Sequence, residues 1–180
     1  DVMTVTGKTL GENLEELKKN GFYEHCDAIL KEKSALIGKE IKRTDIIADF
    51  DHAIGTEGSI AILRGNLAPE GAVIKHTACP KEMFHARLNA KPYDSEEEAI
   101  DAILKGKVVP GDAVFIRYEG PRGSGMPEMF YTSEAISSDK ELGKSIALIT
   151  DGRFSGASTG PVIGHCSPEA VDGGPIALVE

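Results

Sequence analysis

Apolar residues near the start of the chain follow a helical period. They recur every three or four residues, as on one face of an α-helix, at Leu10, Leu14 and Leu17. Thr9 directly precedes this pattern and Glu12 lies three residues after Thr9, which is the capping-box arrangement of a helix N-terminus. The pattern therefore predicts a helix near residues 10–19.

The rest of the N-terminal stretch has no such regularity. Residues 22–37 mix apolar and charged positions without a clean period, and Gly38 then interrupts them. We interpret residues 1–45 as a helical or irregular lead-in, or interdomain linker. Residues 46–180 are expected to form a separate domain.

Beyond the lead-in, short apolar runs separated by glycine and proline predict buried strands. The predicted strands are residues 59–63, 72–74, 113–118, 145–149 and 176–179. Between them lies one clear helical pattern, which Asp94 or Ser95 caps and Gly106 ends. These elements predict an α/β fold that is rich in strands, with helices packed outside.

Composition and charge narrow the classes of function. The 180 residues are 41% hydrophobic and 27% charged, which predicts a folded, soluble protein. A net charge of -9 argues against nucleic acid as a partner, because the phosphate backbone is also negative. Apolar runs are too short for a membrane span of roughly 18–20 residues, and no signal peptide is evident, so a cytoplasmic protein is expected.

The cysteines indicate neither a disulfide framework nor a zinc site. Cys26, Cys79 and Cys166 are odd in number and widely spaced, without a CxxC pair, which predicts free thiols. The chain also begins with Asp1 rather than Met, and its last predicted strand has no closing turn. We therefore expect a piece of a longer protein.

The first candidate site is the glycine-rich loop at residues 119–129. Its three glycines and two prolines permit unusual backbone angles, and Glu128 follows at its rigid end. A phosphate cradle is one interpretation, although the loop matches neither GxxxxGK[ST] nor GxGxxG. A plain surface turn is another. The third is that the Glu128 carboxylate binds a hard cation such as Mg²⁺, or acts as a base.

The second candidate site is the polar loop at residues 151–160, which follows a predicted strand and contains Ser155. A serine nucleophile of the elbow type needs glycine two residues before and two after it, where this chain has Arg153 and Ala157. His165 could act as its base, but the spacing implies no orienting acid. A serine that only forms the turn is the remaining alternative.

Both loops contain short sequence motifs, or words, and a series of such words runs along nearly the whole chain. The words occupy residues 7–10, 61–73, 110–112, 116–121, 125–129, 150–156 and 164–170. In this order they resemble the C-terminal region of the dihydroxy-acid dehydratase family, which includes phosphogluconate dehydratase and the aldonic-acid dehydratases. Several words in the family's order make a chance match untenable.

The resemblance implies a lyase that removes water from a 2,3-dihydroxy acid to give a 2-keto acid. Such enzymes use an iron–sulfur cluster and Mg²⁺ as Lewis acids. The family's cluster cysteines lie in a larger N-terminal domain, so the resemblance implies that none of this chain's cysteines is a cluster ligand. The chain would be inactive alone, and the full-length enzyme would be a homodimer.

The resemblance also assigns two residues. The glutamate of Gly-Met-Pro-Glu-Met corresponds to Glu128 as a Mg²⁺ ligand, and the serine of Asp-Gly-Arg-Phe-Ser-Gly corresponds to Ser155 as the base for the C2 proton. A serine hydroxyl is too weak a base at neutral pH unless a cation lies close by. We therefore expect Glu128 and Ser155 to meet at one metal, from different strand-end loops on one rim of the sheet.

The implied fold is a swivelling β/β/α domain, a barrel-like sheet with flanking helices. The words of the family leave the substrate open between branched-chain and sugar acids, because this chain has alanine at position 157 where subgroups have glycine or threonine. A non-catalytic interaction or swivelling module that kept the fold is the alternative function. Retention of both Glu128 and Ser155 favours the enzyme.

Overall fold

The structure, a computed structural model, describes residues 2–180. The chain divides into two compact units, Asp1–Glu57 and Gly58–Glu180. None of the helices in residues 2–180 combines the length and apolar character that a membrane crossing requires.

The first unit is helical. Its helices are α1 (Leu10–Lys19), α2 (Phe22–Ile37) and α3 (Arg43–Ile46). The predicted capping box of α1 is confirmed, because the Thr9 hydroxyl accepts from the Glu12 N–H at 3.2 Å and the Glu12 carboxylate accepts from the Thr9 N–H at 2.8 Å. Residues 22–37, which have no clean period, form a single helix between two glycines with left-handed backbone angles.

The second unit contains one mixed sheet of six strands. The strands are β1 (Ile60–Leu63), β2 (Gly71–Lys75), β3 (Asn89–Tyr93), β4 (Asp112–Ile116), β5 (Ala147–Thr150) and β6 (Val162–Ser167). Their spatial order is β1-β2-β6-β5-β4-β3. The four strands from β3 to β6 are parallel, and β2 is antiparallel to both β1 and β6.

The neighbouring strands β4 and β5 are buried on both faces. Alternate residues of β4 and β5 point to opposite sides, as the pleat requires. One face packs against helices α4 (Glu96–Leu104), α5 (Phe130–Ser137) and α6 (Leu142–Ser145) through Val114, Ile116 and Leu148. The other face packs against the C-terminal segment around Ala170 and Ile176. Cover on both sides explains why β4 and β5 read as nearly continuous apolar runs.

The α/β class is confirmed, but the barrel-like closure implied by the resemblance is wrong for this chain. The sheet is open within residues 58–180, with β1 and β3 as its two edges. Helical crossovers between parallel strands place helices across a face of the sheet. The edge strands β1 and β3 are separated by the four other strands and do not pair with each other. Pro92 in β3 also suits an edge, because proline has no N–H for a further strand.

Strand prediction failed at three places. Residues 176–179 are not a strand, because the chain forms a 3₁₀ turn at Pro175–Leu178, which Val179 follows. The carbonyls of Ala177 and Val179 accept from the Arg117 guanidinium at 2.9 and 3.0 Å. Strands β3 and β6 were missed, because Pro92 and Gly164 are poor strand formers. Pairing with neighbouring strands outweighs these local preferences.

The core makes a direct prediction about stability. Ile116 is 0% exposed, so Ile116→Ala should lower the free energy of unfolding by about 2–5 kcal/mol. Ile62, which is 63% exposed, is the matched control, and Ile62→Ala should cost under about 1 kcal/mol. Urea unfolding followed by circular dichroism measures both. Equal losses would contradict the assignment of Ile116 to the core.

Candidate active site

Two loops leave the sheet at the carboxyl ends of neighbouring parallel strands. Strands β4 and β5 end at Ile116 and Thr150, which are register partners. The loop before α5 follows β4, and the loop before β6 follows β5. Crevices outside the carboxyl ends of parallel strands are the usual place for ligands in open α/β sheets. The structure thus places both candidate loops on one rim, as the sequence predicted.

Asp151 joins three segments of the chain at this rim. Its carboxylate is 1% exposed and accepts backbone hydrogen bonds from Tyr118 at 3.2 Å, Glu119 at 3.0 Å and Ala170 at 2.8 Å. N–H groups that point at a buried carboxylate form strong hydrogen bonds. Asp151 is therefore a structural anchor for the glycine-rich loop, a role that sequence reasoning missed.

Two further buried carboxylates hold the glycine-rich loop. Glu169 accepts from the backbone N–H groups of Arg122 at 2.9 Å and Gly123 at 3.1 Å. Glu119 accepts from the N–H of Glu96 at 3.0 Å and from the Ser124 hydroxyl. Both acids lie in the sequence words of the family, which is the signal from which they could have been found. Their partners are mainly backbone groups, which no sequence pattern reveals.

The two loops touch directly. A Cβ atom on Gly152 would lie 2.8 Å from the Glu119 carbonyl oxygen, so only glycine permits this approach. Arg153 donates from Nε to the Met126 carbonyl at 2.9 Å, and its own carbonyl accepts from the Met129 N–H at 3.1 Å. Beside these contacts, Glu128 and Arg153 form a parallel β-bridge. The backbones that carry Glu128 and Ser155 are thus fastened side by side.

Ser155 is half-buried and lines a cavity of about 180 Å³. Its hydroxyl oxygen accepts a hydrogen bond from the Ala157 N–H at 3.2 Å. Lys75 lines the same cavity and donates from Nζ to the Gly156 carbonyl at 2.6 Å. The apolar part of the wall consists of Ile60, Val73, Phe154 and Val162.

His165 also lines this cavity and has a positive φ of 58°, an uncommon backbone conformation for a residue with a side chain. Its backbone N–H donates to the Gly152 carbonyl at 2.9 Å. Within residues 2–180, its ring forms no hydrogen bond with Ser155 or with a carboxylate. The serine–histidine hydrolase considered from the sequence therefore lacks its orienting acid here.

The Glu128 side chain is exposed and is not part of the wall around Ser155. Among the described residues there is no group of three or more His, Cys, Asp or Glu side chains that could hold a metal. A single exposed carboxylate still fits Mg²⁺, which commonly binds proteins through one or two carboxylates and keeps several waters. A metal shared by Glu128 and Ser155 stays a prediction.

The cysteines are free thiols, as predicted. Cys166 lies in β6, and burial, together with the nearby Asp151 charge, raises its pKa to about 12. Burial also raises the pKa of Cys79. That none of the cysteines is a cluster ligand stays a prediction.

The fold and the paired loops define an α/β domain with a candidate site at the carboxyl ends of β4 and β5. Comparison with known proteins identifies the family. Residues 45–180 match the family described as "Dihydroxy-acid/6-phosphogluconate dehydratase C-terminal". The chain belongs to this dehydratase family and corresponds to its C-terminal part, which confirms the resemblance seen in the sequence words.

Three similar proteins, each named dihydroxy-acid dehydratase, show how far the match extends. The protein of Archaeoglobus fulgidus is 52% identical over 182 residues, covering 100% of this chain and 29% of the relative. That of Methanosarcina barkeri is 48% identical over 181 residues, with 100% and 29% covered. That of Nitratidesulfovibrio vulgaris (strain DP4) is 46% identical over 179 residues, with 99% and 28% covered. The chain thus spans less than a third of the length of these relatives.

The anchoring role of Asp151 can be tested by replacing it with its amide. In Asp151→Asn, one acceptor oxygen becomes an NH₂ group, so at least one buried backbone N–H loses its partner. The free energy of unfolding should fall by about 1–3 kcal/mol or more. The control is Asp101→Asn, whose carboxylate forms an exposed pair with Lys105 and should contribute under about 1 kcal/mol. Chemical unfolding compares the two, and an unchanged Asp151→Asn protein would contradict the role.

Proposed function

We propose that this chain is the C-terminal part of a hydro-lyase that converts a 2,3-dihydroxy acid into a 2-keto acid. Ser155 acts as the base, and Glu128 is a ligand of Mg²⁺. The observation that carries the proposal is the contact between the two strand-end loops, which sets the Ser155 cavity beside the Glu128 backbone in a chain of this family. An N-terminal domain that binds an iron–sulfur cluster completes the enzyme, which acts as a homodimer.

Ser155 first releases its hydroxyl proton to solvent, and the proposed step begins with transfer of the C2 proton of the substrate to the resulting alkoxide oxygen. The electrons of the C2–H bond form a C2–C3 double bond, and hydroxide leaves from C3. The resulting enol then becomes the 2-keto acid. The N–H of Ala157, which donates to the Ser155 oxygen, stabilises negative charge on that oxygen before the proton arrives.

The bound metal groups would supply Lewis acidity toward the substrate carboxylate and the leaving hydroxyl. Glu128 contributes a negative oxygen ligand from an exposed position next to the substrate cavity. Its place in the β-bridge with Arg153 fixes its backbone beside the serine loop.

The wall of the Ser155 cavity supports an aliphatic substrate over a sugar acid. The polar side chains of the wall are Lys75, Ser155, Ser158 and His165. The other side chains, Ile60, Val73, Phe154 and Val162, offer no partners for the further hydroxyl groups of a sugar, and a hydroxyl without a partner is costly to bury. An aliphatic chain fills such a wall without this cost. We therefore propose a branched-chain 2,3-dihydroxy acid as the substrate.

Ser155→Ala in the complete enzyme should lower kcat by about 10²–10⁴-fold with little change in KM, because a general base acts in the transition state. Thr159→Ala, which removes an exposed hydroxyl from the same loop, is the control and should keep kcat within about twofold. Steady-state kinetics on a branched-chain dihydroxy acid measures both variants. Wild-type kcat in Ser155→Ala would favour the non-catalytic module instead.

Glu128→Gln should behave as the loss of a metal ligand. The variant should need more Mg²⁺ for half-maximal activity and should recover part of its activity at high Mg²⁺, since mass action offsets a weaker site. Glu134→Gln, an exposed glutamate on α5, is the matched control. An unchanged Mg²⁺ activation curve in Glu128→Gln would show that this carboxylate is not a ligand.

A further inference from the structure

We propose that Lys75 is a positioning residue, which holds the peptide group between Gly156 and Ala157 so that its N–H donates to the Ser155 oxygen. The inference rests on the proposed function, in which Ser155 is the base. Lys75 lies in β2, far from both candidate loops in sequence, and no motif argument pointed to it.

The contact chain runs through a single peptide group. Lys75 Nζ donates to the Gly156 carbonyl oxygen at 2.6 Å. The N–H at the other end of that peptide group belongs to Ala157, and it donates to Ser155 Oγ at 3.2 Å. Because a peptide is planar, holding its carbonyl also fixes the direction of its N–H. A cation on the carbonyl also polarises the peptide and strengthens its N–H as a donor.

Lys75 is itself firmly placed. It is the last residue of β2, in register with Ile60 of β1. Strand β2 also pairs with β6 on its other side, so it is an interior strand of the sheet. A side chain that starts from an interior strand is a more precise support than one that starts from a loop.

The loop needs such a support at this point. On the N-terminal side of Ser155, Phe154 packs against the core. On the C-terminal side, Gly156 is exposed, and a Cβ atom there would meet nothing within 4 Å. Within the loop, the Ser158 N–H donates to the Ser155 carbonyl at 3.0 Å, and the next backbone bond to a residue outside the loop is that of the Gly160 N–H to the Ala78 carbonyl at 3.0 Å. The Lys75 bond therefore fills the gap between Phe154 and Gly160.

The positive charge of Lys75, like the hydrogen bond it forms, supports the proposed role of Ser155 as a base. Among the described residues that line the Ser155 cavity, it is the only lysine or arginine. A positive charge that lines the same cavity favours negative charge on the serine oxygen. Position and charge can be separated, because arginine keeps both the charge and the donors, glutamine keeps a shorter donor without charge, and methionine keeps only an apolar stem.

The experiment compares Lys75→Met, Lys75→Gln and Lys75→Arg in the complete enzyme, with Lys91→Met of the edge strand β3 as the control. Amide hydrogen exchange followed by mass spectrometry reports on peptides that cover residues 155–160. Loss of a charged hydrogen bond should speed exchange there about tenfold or more in Lys75→Met. In the same variant kcat should fall at least about tenfold with KM within about twofold, and Lys75→Arg should recover part of kcat.

Wild-type exchange and wild-type kcat in Lys75→Met would overturn the proposal, and so would faster exchange with unchanged kcat. Should Lys75→Met not fold, Lys75→Gln gives the same comparison, and a kcat equal to wild type there would again overturn it. Failure of the proposed function is distinguished by Ser155→Ala. If that variant keeps wild-type kcat, Ser155 is not the base, and positioning by Lys75 has no catalytic meaning even where exchange is faster.

Discussion

The buried carboxylate of Asp151 accepts backbone hydrogen bonds from residues of two different segments, the stretch after β4 and the segment after β6. These N–H groups would otherwise be buried without partners, which costs free energy for each group. Because Asp151 begins the loop that carries Ser155, the hydrogen bonds that satisfy its charge also hold the segments of the site together. Glu119 and Glu169 extend this arrangement along the glycine-rich loop.

The close contact of the loops follows from this anchoring. Gly152 lets the Ser155 loop approach the Glu119 backbone, and Arg153 then reaches the Met126 carbonyl. Glycine is needed at position 152 for space and not for an unusual backbone angle. The site is therefore built from loops that buried carboxylates hold in place, which, on the proposed function, suits a serine that needs an oriented N–H donor.

Local signals predicted part of the fold well. Thr9 with Glu12 located α1, and Ser95 with the acidic residues that follow it located α4. The apolar runs of β4 and β5 predicted these strands, because a strand that is buried on both faces is mostly apolar. Strand β3 escaped prediction because it contains Pro92, and its existence depends on pairing with β4, which no local pattern contains.

The candidate site was predictable only where a short sequence word carries it. Such words are the basis for predicting Ser155 and Glu128 as site residues, and the strands before them predict the rim that their two loops share. Lys75 was not predicted, because its partner at Gly156 lies in a distant part of the sequence, and an isolated lysine at a strand end usually faces solvent. The barrel-like closure was wrong because the resemblance concerned sequence words, which do not fix how the sheet edges lie.

The position of β2 between β1 and β6 has a consequence for the order of events during synthesis. Lys75 leaves the ribosome well before Ser155, but the support it gives requires β2 to be paired with β6, which is made after the other five strands of the sheet. Contacts between such distant segments form late in folding. On the proposed role of Lys75, the nascent chain therefore carries an ordinary serine, and the reactive hydroxyl arises only when the sheet is complete.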